Sequence, residues 1–269
     1  METTDPIFDV RDVTYHYDQV AALDRLALTL RARERVALLG ANGSGKSTLL
    51  RMLDALCFPD KGSVLFCGEP LTEERLQDDL FGYKFRRRVG LVFQNPDVQL
   101  FSPTVFDELA FGPLQLRWTK QEIRCRVLET LEMMEITHLK DRSPHHLSTG
   151  EKKRVALSSV LVLDPEVLLL DEPTAALDPR SESHMIDFLL RCRGSSKTVV
   201  TATHDLDLVP EIADYCYVIH GGRVLAQGSP AAILADTTLL AHANLLHAHA
   251  HVHASGELHS HPHLHHHEH

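Results

Sequence analysis

Residues 35–56 read "RVALLGANGSGKSTLLRMLDAL", and this stretch decides the fold. "RVALLG" is a short apolar run of the kind that forms a strand buried on both faces, and "STLLRMLDAL" has helical spacing. Between them, "GANGSGKST" satisfies G-x-x-x-x-G-K-[ST]. Strand, glycine loop and helix in that order make a phosphate cradle. Gly40, Gly43 and Gly45 let the backbone turn its N–H groups toward an anion at a helix N-terminus, with Asn42, Ser44 and Thr48 in the same loop. Lys46 is expected to reach the β- and γ-phosphates, and the Ser47 hydroxyl to bind Mg²⁺. The expected ligand is a nucleoside triphosphate.

A second stretch, "EVLLLDEPTAALD" at 166–178, supplies the acids. Its apolar run ends in Asp171 and Glu172, as a buried strand does on emerging at its C-terminal edge. Asp171 is expected to hold Mg²⁺ through water, and Glu172 to orient or deprotonate the attacking water. "KTVVTATHDLDLV" at 197–209 reads as another strand ending at that edge, which would bring His204 to the γ-phosphate. A histidine after a strand is as readily structural, so His204 alone leaves both readings open.

The chain of 269 residues, 43% hydrophobic and 24% charged, has the make-up of a soluble globular protein with one large domain or two small ones. Its apolar runs are too short to span a bilayer, and "METTDPIFDV" lacks the basic and apolar regions of a signal peptide, which predicts a cytoplasmic chain. A formal net charge of −10 argues against nucleic-acid binding as the main task, despite the local basic run "KFRRR" at 84–88. The five cysteines form no CxxC pair, so neither a disulfide framework nor a zinc ribbon is expected.

Together these motifs resemble the ATP-binding-cassette (ABC) ATPases over about residues 7–235. "GANGSGKS" resembles Walker A, "VLLLDE" Walker B, "LSTGE" at 147–151 the signature and "AALD" at 175–178 the D-loop with Asp178. Gln94 in "VFQNP" resembles the Q-loop glutamine, His204 the switch histidine, and Tyr17 in "YHYD" the aromatic residue that stacks on adenine. The resemblance implies an α/β P-loop core, an antiparallel β subdomain and a helical subdomain at about 94–160. It also implies catalytic roles for Glu172, His204 and Gln94, the last also near Mg²⁺. A head-to-tail dimer with a like or unlike cassette is implied as well, in which Lys46 of one subunit and Ser148 and Gly150 of the other embrace one ATP. One departure is Thr149, where the usual signature has glycine; crowding of the phosphate and a preference for an unlike partner are the alternatives a β-branched residue raises there, but with Glu172 and His204 both intact Thr149 is expected to be tolerated.

"QNPDVQLFSPTVFDELAFGPLQL" at 94–116 narrows the resemblance to cassettes of energy-coupling-factor (ECF) importers, especially those for cobalt and nickel. That implies a transmembrane coupling subunit, a substrate-binding membrane subunit and a place on the cytoplasmic face of the membrane. Phe101, Val105, Leu109 and Phe111 are candidates for partner contact or for core. "TKQEIRCRVLETLEMMEI" at 119–136 places Ile123, Val127, Leu131 and Met134 as a helical core stripe. A hairpin is expected around Gly221-Gly222.

From 236 to 269 the composition changes to a histidine-rich tail with too few apolar residues to pack, for which a flexible extension is predicted. It carries His247, His249, His251, His253, His259, His261, His263, His265, His266, His267 and His269. Neutral imidazoles without cysteine suit Ni²⁺ or Co²⁺. A purification tag or a plain solubilising tail are the competing readings, though tags are usually uninterrupted runs. The function expected is ATP hydrolysis driving nickel or cobalt import, with a vitamin importer of the same architecture or a soluble metal buffer as alternatives.

Overall fold

The computed structural model describes residues 6–252 and 258–263, with side chains as far as Leu246. Strands β1 (Pro6–Tyr17) and β2 (Val20–Arg31) form a long antiparallel hairpin whose inward face buries Phe8, Val10, Leu26, Leu28 and Leu30. Next come β3 (Arg35–Leu39), helix α1 (Lys46–Leu53), β4 (Lys61–Phe66) and the short β5 (Glu69–Pro70). The antiparallel subdomain expected from the resemblance is therefore a four-stranded sheet in the order β2-β1-β4-β5. Helices α2 (Glu73–Gln77) and α3 (Asp79–Arg88) lead from it into β6 (Val89–Val92).

The helical layer follows: α4 (Val105–Gln115), α5 (Lys120–Met133) and α6 (Thr149–Leu161). Each begins on a residue whose side chain satisfies an otherwise unpaired N–H: Thr104 for Asp107, Thr119 for Glu122 and Ser148 for Glu151. At α5 and α6 the glutamate at the third position answers back to the cap, a reciprocal box that fixes where the helix starts. Ile123, Val127 and Leu131 are buried along one face of α5, as their spacing predicts.

The remaining elements are β7 (Val167–Asp171), α7 (Pro179–Arg191), β8 (Thr198–Thr203), α8 (Val209–Ile212), β9 (Tyr215–His220) and β10 (Arg223–Gly228). They complete a six-stranded sheet in the order β10-β9-β3-β8-β7-β6, parallel except for the antiparallel edge strand β10. β3, β7 and β8 are buried along their whole length, which explains their unbroken apolar and β-branched runs. Register then positions the site. Leu39 pairs with Thr203 and Asp171 with Ala202, so Gly40, Glu172 and His204 all emerge at one edge of the sheet.

After α9 (Pro230–Ala235), helix α10 (Thr237–His242) and its following turn bury Leu240, Ala243, Leu245 and Leu246 in the main core. These four apolar residues dock the segment against the cassette. Beyond it, β11 (His247–Val252) pairs antiparallel with β12 (Leu258–His263), where no regular structure was expected. His247 is opposite His263, His249 opposite His261 and His251 opposite His259. His253, His265, His266, His267 and His269 lie outside the described residues. No described helix is long and apolar enough to cross a membrane.

Candidate nucleotide-hydrolysing site

The glycine loop leaves β3 and enters α1 with Gly43 and Gly45 at φ of 79° and 109°, a region open to glycine. At Gly40 a Cβ would come within 2.4 Å of the Ile219 carbonyl, so the loop packs against the end of β9. The Ser44 hydroxyl is buried in this loop without a hydrogen-bond partner. Lys46, buried, donates to the carbonyls of Gly40 at 2.5 Å and Ala41 at 3.3 Å. Burial lowers its pKa, opposed by the acids Glu172 and Asp171 nearby.

Asp171 and Glu172 are both buried at the end of β7. The Ser47 hydroxyl donates to Asp171 Oδ1 at 3.0 Å, while burial raises the Asp171 pKa. Glu172 Oε1 lies 3.6 Å from Lys46 Nζ and 2.9 Å from His204 Nδ1. The hydrogen bond to Glu172 raises the His204 pKa, so the pair favours an imidazolium beside a carboxylate. Glu172 also sits at a φ of 45°, a conformation that costs a side-chain-bearing residue energy and must be held by its surroundings. Lys46, Ser47, Asp171, Glu172 and His204 therefore meet in one cluster. Gln94 is exposed just beyond β6 at the same sheet edge, and Tyr17 is 42% exposed with its hydroxyl 3.3 Å from Arg51 of α1.

Ser148 and Gly150 stand at the N-terminal end of α6. The Ser148 hydroxyl is engaged by Glu151, to which it donates at 2.9 Å. Of the two residues that follow, Thr149 is exposed and Gly150 is buried. A Cβ at Gly150 would fall 2.1 Å from Ser181 Oγ and 3.3 Å from Asp178 Oδ2, so Gly150 packs its own α6 against α7. The position where a side chain has no room within the subunit is thus Gly150. Asp178 caps α7, accepting from the N–H groups of Arg180 and Ser181, both at 3.1 Å.

Two residues to which the motif reading gave no role connect these segments. Lys153, on α6, is 4% exposed and donates to the carbonyls of Glu172 at 3.0 Å, Pro173 at 3.3 Å and Ala175 at 2.6 Å. It thereby clasps the segment that carries the strained Glu172. The signal was present, since Gly150, Lys153, Leu157 and Leu161 share the buried side of α6 at helical spacing. Gln99 accepts from the Phe93 N–H at 3.2 Å and donates to the Ala156 carbonyl at 2.8 Å, tying the Gln94 loop to α6. Gln99 is the second glutamine of the "QNPDVQLF" stretch that carries the ECF resemblance, so its position was marked, although its remote partners could not be read from it.

The ABC transporter family profile matches residues 23–175. The chain belongs to the ABC transporter family. It is 54% identical over 244 residues to the nickel import ATP-binding protein NikO of Rhodobacter capsulatus, covering 90% of this chain and 96% of that one. With the energy-coupling factor transporter ATP-binding protein EcfA of Methanocaldococcus jannaschii it shares 41% identity over 240 residues, covering 89% of this chain and 85% of that one. CbiO1 of Clostridium perfringens, part of the ABC transporter complex CbiONQ, superposes with a TM-score of 0.74 at 39% identity, covering 90% of this chain and 95% of that one. This ABC cassette is thus the ATPase subunit of an ECF-type transporter, and its fold is that of the P-loop ABC ATPases.

Proposed function

We propose that this ATPase drives import of nickel, with cobalt the second choice, and that it works as a dimer on the cytoplasmic face of a membrane. The observation that carries the cargo reading is the similarity to NikO along nine-tenths of the chain, in a protein that adds a histidine-rich end suited to such ions. The transmembrane coupling subunit docks on the helical layer. There Phe101 and Phe111 stack edge to face at 4.8 Å while 60% and 42% exposed, with Val98 and Leu114 exposed beside them. Val105 and Leu109, the other candidates for that contact, are buried and serve the core.

ATP and Mg²⁺ fit the residues present. The buried, unpartnered Ser44 hydroxyl, the left-handed glycines and the inward Lys46 suit a bound triphosphate, and Ser47 with Asp171 offers the oxygen donors that Mg²⁺ prefers. When bound, Mg²⁺ neutralises phosphate charge. In the chain itself Lys46 is held by backbone carbonyls and by Glu172, and the triphosphate competes for it. Its departure frees Glu172 to accept a proton from water, with His204 fixing the orientation of the carboxylate. Tyr17 stacks on the adenine, Asn42 completes the loop and Thr48 stands in the first turn of α1. Ser148, Gly150 and Asp178 face the triphosphate bound by the other subunit, while Gln94 reports the site's state to the membrane partner.

The test is elemental analysis of the native host grown in trace nickel and cobalt, comparing wild type with a Glu172→Gln strain. Selective loss of cellular nickel or cobalt supports the reading. Unchanged metal content removes the cargo assignment and turns the search to a vitamin.

A further inference from the structure

Glu108 is only 4% exposed, near the start of α4. A carboxylate taken out of water has to be compensated by donors close at hand. Here the N–H groups of Phe101 and Ser102 both donate to its Oε2, at 2.9 and 2.7 Å, and the field at the start of the helix adds to them. Phe101 is itself largely exposed, so its place is set by this backbone grip more than by packing. Its ring meets Phe111 edge to face at 4.8 Å, and Phe111 follows Glu108 by one turn of α4. Both rings of the exposed pair are thus referred to α4, one directly and the other through Glu108.

The other end of the same segment is referred to α6. Gln99 accepts from the N–H of Phe93, the neighbour of Gln94, at 3.2 Å. It donates to the Ala156 carbonyl at 2.8 Å and to the Ser159 hydroxyl at 3.1 Å, and Lys152 donates to Asp97 at 2.7 Å. Lys152, Ala156 and Ser159 recur at i, i+4 and i+7, one stripe of α6, while Lys153 beside them holds the loop of Glu172. Only Leu100, which is buried, separates the Gln99 anchor on α6 from the Phe101 anchor on α4. A link so short has no slack. A shift of α6 against α4 therefore moves the Phe101 backbone or loosens its bonds to Glu108. We propose that Glu108 is a positioning residue for the exposed Phe101–Phe111 pair, and that with Gln99 it makes residues 93–102 a strap through which nucleotide binding alters that surface. That the surface meets the coupling subunit rests on the function proposed above; the strap itself does not. Both bonds end on one oxygen of Glu108, so the amide oxygen of a glutamine, with its two lone pairs, can replace it.

Hydrogen–deuterium exchange read by mass spectrometry reports on these amides in the full-length chain, without nucleotide and with saturating Mg²⁺ and adenylyl imidodiphosphate. Wild type, Glu108→Gln, Glu108→Leu and Gln99→Met are compared after far-UV circular dichroism has verified folding. In wild type, nucleotide is expected to change exchange over residues 100–104 by about twofold or more. Glu108→Gln should keep both the protection and this response. Glu108→Leu should exchange the Phe101 and Ser102 amides about tenfold faster and lose the response. Gln99→Met should keep the protection, because Glu108 still holds both amides, and lose only the response; a residue that merely stabilised the fold would give no such split. Should Glu108→Leu fail to fold, the other two variants decide. No response in wild type, or a wild-type response in Gln99→Met, overturns the strap. If Glu108→Gln loses protection, the two bonds are not what Glu108 supplies, and its positioning role is overturned. A separate arm purifies tagged Phe101→Ala chain from host membranes. Membrane subunits retained there as in wild type remove the docking reading and leave the strap standing, whereas their loss beside a silent strap does the reverse.

Discussion

Replacing Lys153 by methionine removes the clasp between α6 and the loop of Glu172 while keeping the length of the side chain. Burial lowers the Lys153 pKa from 10.5 to about 8, which corresponds to about 3.5 kcal/mol at 1.4 kcal/mol per pH unit. Against that, hydrogen bonds from a charged donor contribute about 1.5–3 kcal/mol each, and their loss orphans three buried carbonyls. The bonds outweigh the burial, and Lys153→Met is expected to destabilise the chain by about 2 kcal/mol at pH 7. The sign of the pH dependence follows from linkage. The unfolded lysine titrates higher than the folded one, so between about pH 8 and 10 the unfolded state binds more protons and wild-type stability rises with pH. The variant lacks that rise, and the gap between the two widens across this window. Urea unfolding at pH 7, 8, 9 and 10 reads both quantities. Steady-state ATPase assays should show kcat reduced at least tenfold with KM for ATP changed far less, since Lys46 and the glycine loop are untouched. A variant within 0.5 kcal/mol of wild type, with a constant gap across pH and normal kcat, would refute the clasp.

Gly150→Ala forces a methyl to within 2.7 Å of Ser181 Cβ and should cost about 1–3 kcal/mol in thermal or urea unfolding, whereas Thr149→Gly, at an exposed position, should change stability by under about 1 kcal/mol and leave the ATPase rate within twofold. A large rate gain in Thr149→Gly would show instead that the threonine crowds the phosphate. Glu151 keeps its charge at neutral pH, because the Ser148 backbone N–H lowers its pKa, and it stands at the helix end proposed to meet phosphate. Glu151→Gln should therefore strengthen ATP-dependent dimerisation several-fold in sedimentation experiments run in the Glu172→Gln background; weaker dimerisation would sink this reading. Ser44→Ala removes the orphaned hydroxyl and should weaken ATP binding two- to tenfold without loss of stability, measured by equilibrium titration.

The parts of the site legible in sequence were those in which one short segment carries both fold and chemistry. A glycine loop must follow a strand and open a helix, so Gly40 to Ser47 announce their own surroundings, and a buried strand ending in Asp171 and Glu172 can end only at the sheet edge. The residues that join these segments were not legible. Lys153 and Gln99 act on backbone carbonyls, which any residue can present, so no local pattern marks their targets. Composition hid the packing of the residues after 236 for a related reason. The histidines overwhelm any average taken past residue 236, although Leu240, Leu245 and Leu246 are enough to dock α10. The Thr149 question was equally beyond sequence, because which of two adjacent helix residues faces α7 depends on the angle at which the helices pack.

These connections make α6 a single lever. At its N-terminus are Ser148 and Gly150, on its buried face Lys153 holds the loop of Glu172, and at its middle the Ala156 carbonyl receives Gln99 from the loop that carries Gln94. The segments proposed as signature, hydrolytic acid and partner-sensing loop are therefore fastened to one helix of thirteen residues within one chain. In the proposed head-to-tail dimer, the Ser148 end of that helix meets the triphosphate of the opposite site, while Lys153 governs the acid of its own. A displacement of α6 by nucleotide at one site is then carried to the hydrolytic carboxylate of the other. Because a packed helix moves as a rigid body, the proposed dimer would couple its two sites without any rearrangement of the parallel sheet.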